Sequence, residues 1–155
     1  MLSALVTGAN RGIGLEFCRQ LIEQGYDVIA TSRNSSPELY ALGIRIESGI
    51  DMSDQSSIDK LASTLDGKSI DLMINNAGIM NNESLGKLDF DSIQQQLDVN
   101  TLGPLRVVNR LKSLLANPSK LILITSRMGS VADNTSGGYY GYRMSKAALN
   151  MAGVS

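Results

Sequence analysis

Short apolar runs alternate along this chain with stretches in which apolar residues recur every three or four positions. The runs fall at residues 2–6, 26–31, 44–47, 70–74 and 121–124, and each predicts a buried strand. Between the first two, Ile13, Phe17 and Leu21 stand at helical spacing and Gly25 ends the segment. A short helix is expected over residues 38–42, stopping at Gly43. Ser53 or Asp54 caps the next, which carries Ile58, Leu61, Ala62 and Leu65 and closes at Gly67. A polar loop over residues 75–87 leads to a helix from near Asp91. A longer helix from near Thr101 is expected to place Val108, Leu111 and Leu115 on one face. After a Gly/Ser/Asn-rich loop at 130–141, the last helix starts at about Tyr142 and carries Ala147, Ala148 and Met151. Continuous apolar strands joined by helices imply a parallel sheet covered on both faces, with right-handed crossovers. The expected fold class is therefore α/β, doubly wound, in one domain over residues 1–155, with ligands at the carboxyl ends of the strands.

Composition removes several chemistries. The chain has 155 residues, and 43% hydrophobic against 19% charged residues excludes a disordered tail. Lys plus Arg number 14 and Asp plus Glu 15, a balance that predicts neither a nucleic-acid surface nor a polybasic membrane anchor. No apolar stretch approaches the roughly 18 residues needed to span a bilayer, and no leader pattern is visible, so a cytoplasmic location is expected. The lone Cys18 cannot form an internal disulfide, and the absence of histidine removes Ser-His-Asp and Cys-His catalysis and His-containing metal sites. Chemistry is left to Tyr, Lys, Ser, Asn, Asp and Glu.

Three features carry candidate chemistry. Gly8, Asn10, Arg11, Gly12, Ile13 and Gly14 lie between the first strand and the first helix. There glycines permit a tight turn and close approach to a pyrophosphate, and the helix N-terminus offers free N–H groups. This makes the fold Rossmann-type and the motif a candidate dinucleotide site. The second strand ends Ala30-Thr31-Ser32-Arg33, without the acid that holds an unphosphorylated ribose. Arg33 and Arg11 suit a 2′-phosphate, so NADP(H) is expected over NAD(H). Third, Tyr142 and Lys146 are four apart and share a helix face, where an ammonium favours tyrosinate and lets the phenol pass a proton near neutral pH. Tyr139 and Tyr140 lack a lysine four residues on.

Together with Asn75-Asn76-Ala77-Gly78, Asn100 in Asp98-Val99-Asn100-Thr101-Leu102-Gly103-Pro104, and Ser126, these motifs resemble the classical short-chain dehydrogenase/reductase family over essentially the whole chain. Within it, residues 125–129 and 139–143 resemble the C-factor and sniffer-type carbonyl reductases. The resemblance implies reduction of a ketone or aldehyde, or the reverse oxidation. Tyr142 would be general acid or base. Lys146 would lower its pKa and bind the nicotinamide ribose, Ser126 would hold the substrate oxygen, and Asn100 would hold a water in a relay through Lys146. It also implies that Gly8, Gly12, Ile13 and Gly14 line the pyrophosphate, Asp51 and Met52 stand at the adenine, and Asn76, Ala77 and Gly78 wall the cleft. Ser126 precedes Tyr142 by 16 positions and Ser130 by 12. Ser126 is preferred because it sits directly at the strand end.

The expected partners are a small carbonyl or alcohol substrate and further copies of the chain, as a dimer or tetramer, without nucleic acid or membrane. The family's sixth and seventh strands would lie beyond Ser155, so the chain is expected to be C-terminally incomplete. The other readings are an inactive fragment and a non-catalytic dinucleotide-binding signalling module. Cys18 is expected in or near the core, the seven methionines in packing, and Gln94-Gln95-Gln96 on a solvated helix face.

Overall fold

The computed structural model describes residues 1–155. Five parallel strands form one sheet in the order β3-β2-β1-β4-β5. They are β1 (Ser3–Thr7), β2 (Asp27–Ser32), β3 (Arg45–Ser48), β4 (Ile70–Asn75) and β5 (Leu115–Leu123). Helices α1 (Gly12–Glu23), α2 (Pro37–Tyr40) and α3 (Gln55–Thr64) join the first four strands. Helix α4 (Phe90–Leu97) runs through a π-helical segment, Asp98–Leu102, into α5 (Gly103–Leu111). Helix α6 (Tyr140–Val154) closes the described chain. No helix is long and apolar enough to cross a membrane.

Local chemistry accounts for the helix starts. The side chains of Ser36, Asp54 and Asp89 accept hydrogen bonds from Leu39, Ser56 and Ser92 N–H, capping α2, α3 and α4. Pro37 stands in the first turn of α2, where its missing N–H costs nothing. The sheet then divides the core in two. Leu5, Ile29, Met73, Ile58, Leu61, Val107 and Leu111 pack on the α3–α5 side, and Ala4, Val6, Val28, Ile74, Leu15, Cys18 and Leu21 on the α1 side.

Some expectations change: of the seven methionines expected in packing, Met1, Met80, Met144 and Met151 are exposed. Helix α1 meets the sheet through Leu15, Cys18 and Leu21, with Phe17 packed alongside, and leaves Ile13 64% exposed at the end where the crevice opens. Leu115 is not on a helix: α5 ends at Leu111, a 3-10 turn follows, and Leu115 opens β5 opposite Ile70. The apolar run at 121–124 is covered incompletely, since β5 ends the sheet and Leu121 and Ile122 stay partly exposed. Gln96 is fully buried, whereas Gln94 and Gln95 are exposed as expected. Helix α4 therefore turns a polar residue inward, against a partner in the preceding loop.

Helix α1 packs on β1 only because residue 14 has no side chain. A Cβ there would collide with the Gly8 carbonyl oxygen and lie 2.5 Å from Asn76 Nδ2. Gly14→Ala must push rigid backbone apart and should lower unfolding free energy by roughly 1–3 kcal/mol in urea titrations. Burial also pushes the Cys18 thiol from its ordinary 9.0 up to about 11. Between those values the unfolded chain releases a proton that the folded chain keeps. The resulting stabilisation is complete below about pH 9 and disappears as pH rises through about 11, an effect of roughly 3 kcal/mol. Urea titrations over this range should show the loss in the unaltered chain, and Cys18→Ala should flatten it.

Candidate functional site

The strand order changes direction between β1 and β4, and a crevice opens where the chain leaves their ends. Gly8 has φ of +66°, and a Cβ there would sit 2.7 Å from Ala77 Cα, so this turn can be made only by glycine. The two strand ends are stitched by side chains. Thr7 Oγ1 accepts from the N–H groups of Asn76 and Ala77 at 3.1 Å each. Asn76 Nδ2 donates to the carbonyls of Thr7 and Gly8 at 3.0 and 3.1 Å. Beside this joint α1 begins with no side-chain cap, leaving its first N–H groups to face the crevice.

The crevice is lined by the turn from Gly8 to Gly14, by Ser32, Arg33 and Asn34 after β2, by Asp51 and Met52 after β3, and by Asn76, Ala77 and Gly78 after β4. Every residue expected at a dinucleotide from the first four strands thus lies on one wall or another. Arg11 and Arg33 are both exposed at its mouth. Ser32 Oγ is buried beside them without a hydrogen-bond partner. Hydrogen bonds from the hydroxyl and N–H of Ser53 hold the Asp51 carboxyl below its ordinary range. Met52 is buried and gives the adjoining wall an apolar surface. An uncapped helix end, a glycine cradle, two guanidinium groups and an orphaned hydroxyl fit a phosphorylated dinucleotide.

Beyond Gly78 lie the expected reactive side chains. A methyl group on Gly78 would be 3.3 Å from Asn100 Oδ1 and 3.7 Å from Lys146 Nζ, so the cleft wall and the reactive helix meet there. Lys146 and Tyr142 lie along α6, with Nζ 5.8 Å from the phenol ring centroid. Lys146 is 4% exposed and donates to the Ile124 carbonyl at 2.7 Å, and burial holds its ammonium below the ordinary lysine range. Asn100 sits in the π-helical segment, fully buried. Its Oδ1 accepts from Ile79 N–H, and its Nδ2 donates to the Ile79 carbonyl and to Ser145 Oγ, all between 2.8 and 2.9 Å. The Asn100 side chain is thus a clip between the β4 loop and α6. Ser145 Oγ in turn donates to the Tyr142 carbonyl at 2.8 Å, and Thr101 Oγ1 donates to the Ser145 carbonyl at 2.7 Å. Ser126 caps the 3-10 turn Arg127–Gly129, its Oγ accepting from Met128 N–H at 3.1 Å. Ser130 Oγ accepts from Asp133 N–H at 3.2 Å, within the Gly/Ser/Asn-rich loop.

Thr7, Ser145, Thr101, Glu83 and Gln96 take part in holding the site, and none stood out in the sequence. Thr7 directly precedes the glycine turn, Thr101 follows Asn100 in its motif and Ser145 lies between Tyr142 and Lys146, which was the available signal. Glu83 and Gln96 lie in stretches that read as solvated, and no local pattern marks either. Helix α6 also starts at Tyr140, two residues before the expected start. Its N-cap, Tyr139, adopts a left-handed φ of +52°, a conformation that costs a side-chain-bearing residue about 1–2 kcal/mol.

A family model described as short chain dehydrogenase matches residues 3–153. The whole chain aligns with 70% of 1-hydroxy-2-glutathionyl-2-methyl-3-butene dehydrogenase of Rhodococcus sp. (strain AD45), at 44% identity. Of seven other curated relatives its matches cover between 31% and 59% of the length. A short-chain dehydrogenase/reductase from Burkholderia multivorans, solved with bound NADP, superposes at TM-score 0.90 and 33% identity, over 97% of this chain and 70% of that one. The carbonyl reductase Sniffer of D. melanogaster does so at TM-score 0.90 and 30% identity, over 98% of this chain and 72% of that one. The fold, the crevice at the β1–β4 parting and this match along nearly the full chain establish that the protein belongs to the short-chain dehydrogenase/reductase family.

Proposed function

We propose that this chain is an NADP(H)-dependent carbonyl reductase, converting a ketone or aldehyde to an alcohol or running the reverse oxidation, with Tyr142 as proton donor. The observation that carries this reading is the placing of Tyr142 and Lys146 on one helix, next to a crevice that fits a phosphorylated dinucleotide. The likeness to the NADP-bound Burkholderia dehydrogenase/reductase supports the cofactor, and the likeness to the carbonyl reductase Sniffer supports the reaction type.

The dinucleotide, when bound, supplies or accepts the hydride. The chain's own residues bind, orient and move a proton. Gly8, Asn10, Gly12, Ile13 and Gly14 cradle the pyrophosphate on the α1 N-terminus. Arg11, Arg33 and the free Ser32 hydroxyl hold the 2′-phosphate, and Asp51 and Met52 bound the adenine. Asn76, Ala77 and Gly78 form the opposite wall. The Tyr142 hydroxyl gives its proton to the developing alkoxide oxygen during reduction. The Lys146 ammonium stabilises the phenolate left behind and can reach the ribose hydroxyls along the same wall. Ser126 accepts from Met128 N–H, which leaves its own O–H to donate to the substrate oxygen. Asn100 ties Ile79 to Ser145, the residue before Lys146, and would hold the relay water that links to Lys146. The substrate is a small molecule, and the whole range 1–155 acts as one dinucleotide-binding unit.

NADPH oxidation with a panel of ketones and aldehydes tests the reading. Tyr142→Phe should lower kcat by roughly 10²–10⁴-fold while NADPH binding stays within about twofold, and turnover that survives the change refutes the assignment. Ser126→Ala should abolish most turnover, whereas loss in Ser130→Ala alone would transfer the role to Ser130. For the cofactor, Arg33→Glu should weaken NADPH binding by about 10–100-fold and leave NADH binding nearly unchanged, as expected for one charge-assisted contact. A measured preference of the unaltered chain for NADH would overturn the choice of NADP(H).

A further inference from the structure

Glu83 is an acid with no obvious place in the chemistry, yet it is 3% exposed. It lies in the loop between β4 and α4, and no cation pairs with it. Four donors converge on it instead. Its Oε1 accepts from Gln96 Nε2 at 2.6 Å and from Ser92 Oγ at 2.8 Å. Its Oε2 accepts from Gly141 N–H at 3.2 Å, and its backbone carbonyl accepts from Tyr139 N–H at 2.8 Å. The last two belong to the start of α6, which has no side-chain cap of its own. A buried carboxylate without a counter-ion is costly, and the N–H groups and positive end of a helix are what offsets that cost here.

The contact is close as well as polar. A side chain at Gly141 would collide with the Gln96 amide and come within 3.0 Å of Ile93 Cα. Gln96 is itself oriented, since its Oε1 accepts from Asn81 N–H at 3.0 Å and so presents Nε2 to Glu83. Tyr142 is the next residue of the helix. We propose that Glu83 is a positioning residue: its carboxylate anchors the first turn of α6 and thereby sets where the Tyr142 phenol stands relative to the cleft. The first turn is then held from the β4 loop at residues 139 and 141, and the second from Asn100 and Thr101 at residue 145. The catalytic consequence rests on the carbonyl-reductase reading, whereas the anchor itself does not.

Glu83→Gln tests it, because its NH2 must face either Gly141 N–H or the pair Gln96 Nε2 and Ser92 Oγ, and so takes an acceptor from Gly141 N–H or Gln96 Nε2. Two readouts are taken on the full chain. Hydrogen exchange at residues 140–143 should speed up by about tenfold while exchange in β1 and α1 is unchanged. In NADPH oxidation, kcat should fall by roughly tenfold or more, with carbonyl KM and NADPH Kd within about twofold, as for a displaced reacting group. Glu83→Asp, which keeps the charge one methylene shorter, should recover part of both. If Glu83→Gln does not fold, Ser92→Ala should show the same pattern at smaller size. Unchanged exchange at 140–143 overturns the anchor, and so does a loss of protection spread evenly through the chain. An unaltered chain with no turnover overturns the carbonyl-reductase reading, and the exchange comparison then decides the anchor alone.

Discussion

The site depends on one joint, the place where β1 and β4 stop being neighbours. Parallel strands satisfy each other's backbone groups only while they run together. Past Thr7 and Asn75 the chain turns away on both sides, and the freed N–H and carbonyl groups need partners. Thr7 and Asn76 provide them, each using its side chain on the other strand's backbone. The joint closes only if positions 8 and 14 carry no side chain. Its result is a crevice with an uncapped helix end on one wall and the loop after β4 on the other.

From that loop a series of side-chain contacts runs to α6, the helix that carries Tyr142 and Lys146. Ile79 is clipped by Asn100, Asn100 reaches Ser145, and Ser145 bonds the Tyr142 carbonyl. Every link joins a short side chain to backbone or to another short side chain, which leaves little rotamer freedom. Lys146 is drawn into the same frame by the Ile124 carbonyl at the end of the sheet. Its burial and its nearness to the phenol thus follow from where the last turn of sheet and the start of α6 meet. Glu83 closes the other end of the frame, where α6 begins without a cap and Tyr139 is held in a left-handed conformation.

Much of this was readable from residue order because it is local. The β1 glycine turn, the cap of α3 at Asp54, and the four-residue spacing of Tyr142 and Lys146 each involve residues a few positions apart. The errors came where packing chose among equally good local options. Leu115 continues the periodicity of α5, but pairing with Ile70 draws it into β5. Gln96 has the same character as Gln94 and Gln95, and only the presence of Glu83 thirteen residues earlier makes it the buried one.

Residue order by itself determined the element sequence, the doubly wound class, the glycine turn after β1 and the four-residue spacing of Tyr142 and Lys146 on one helix. These follow from hydrophobic period, glycine placement and helical spacing, which act over one or two turns of chain. Tertiary structure decided which polar residues are buried, and so which ones hold the site in register. Asn100 with Ile79, and Glu83 with Gly141, are separated by 21 and 58 positions. No local pattern encodes such partners, because a buried polar group becomes affordable only when the fold brings its hydrogen-bonding complement to it.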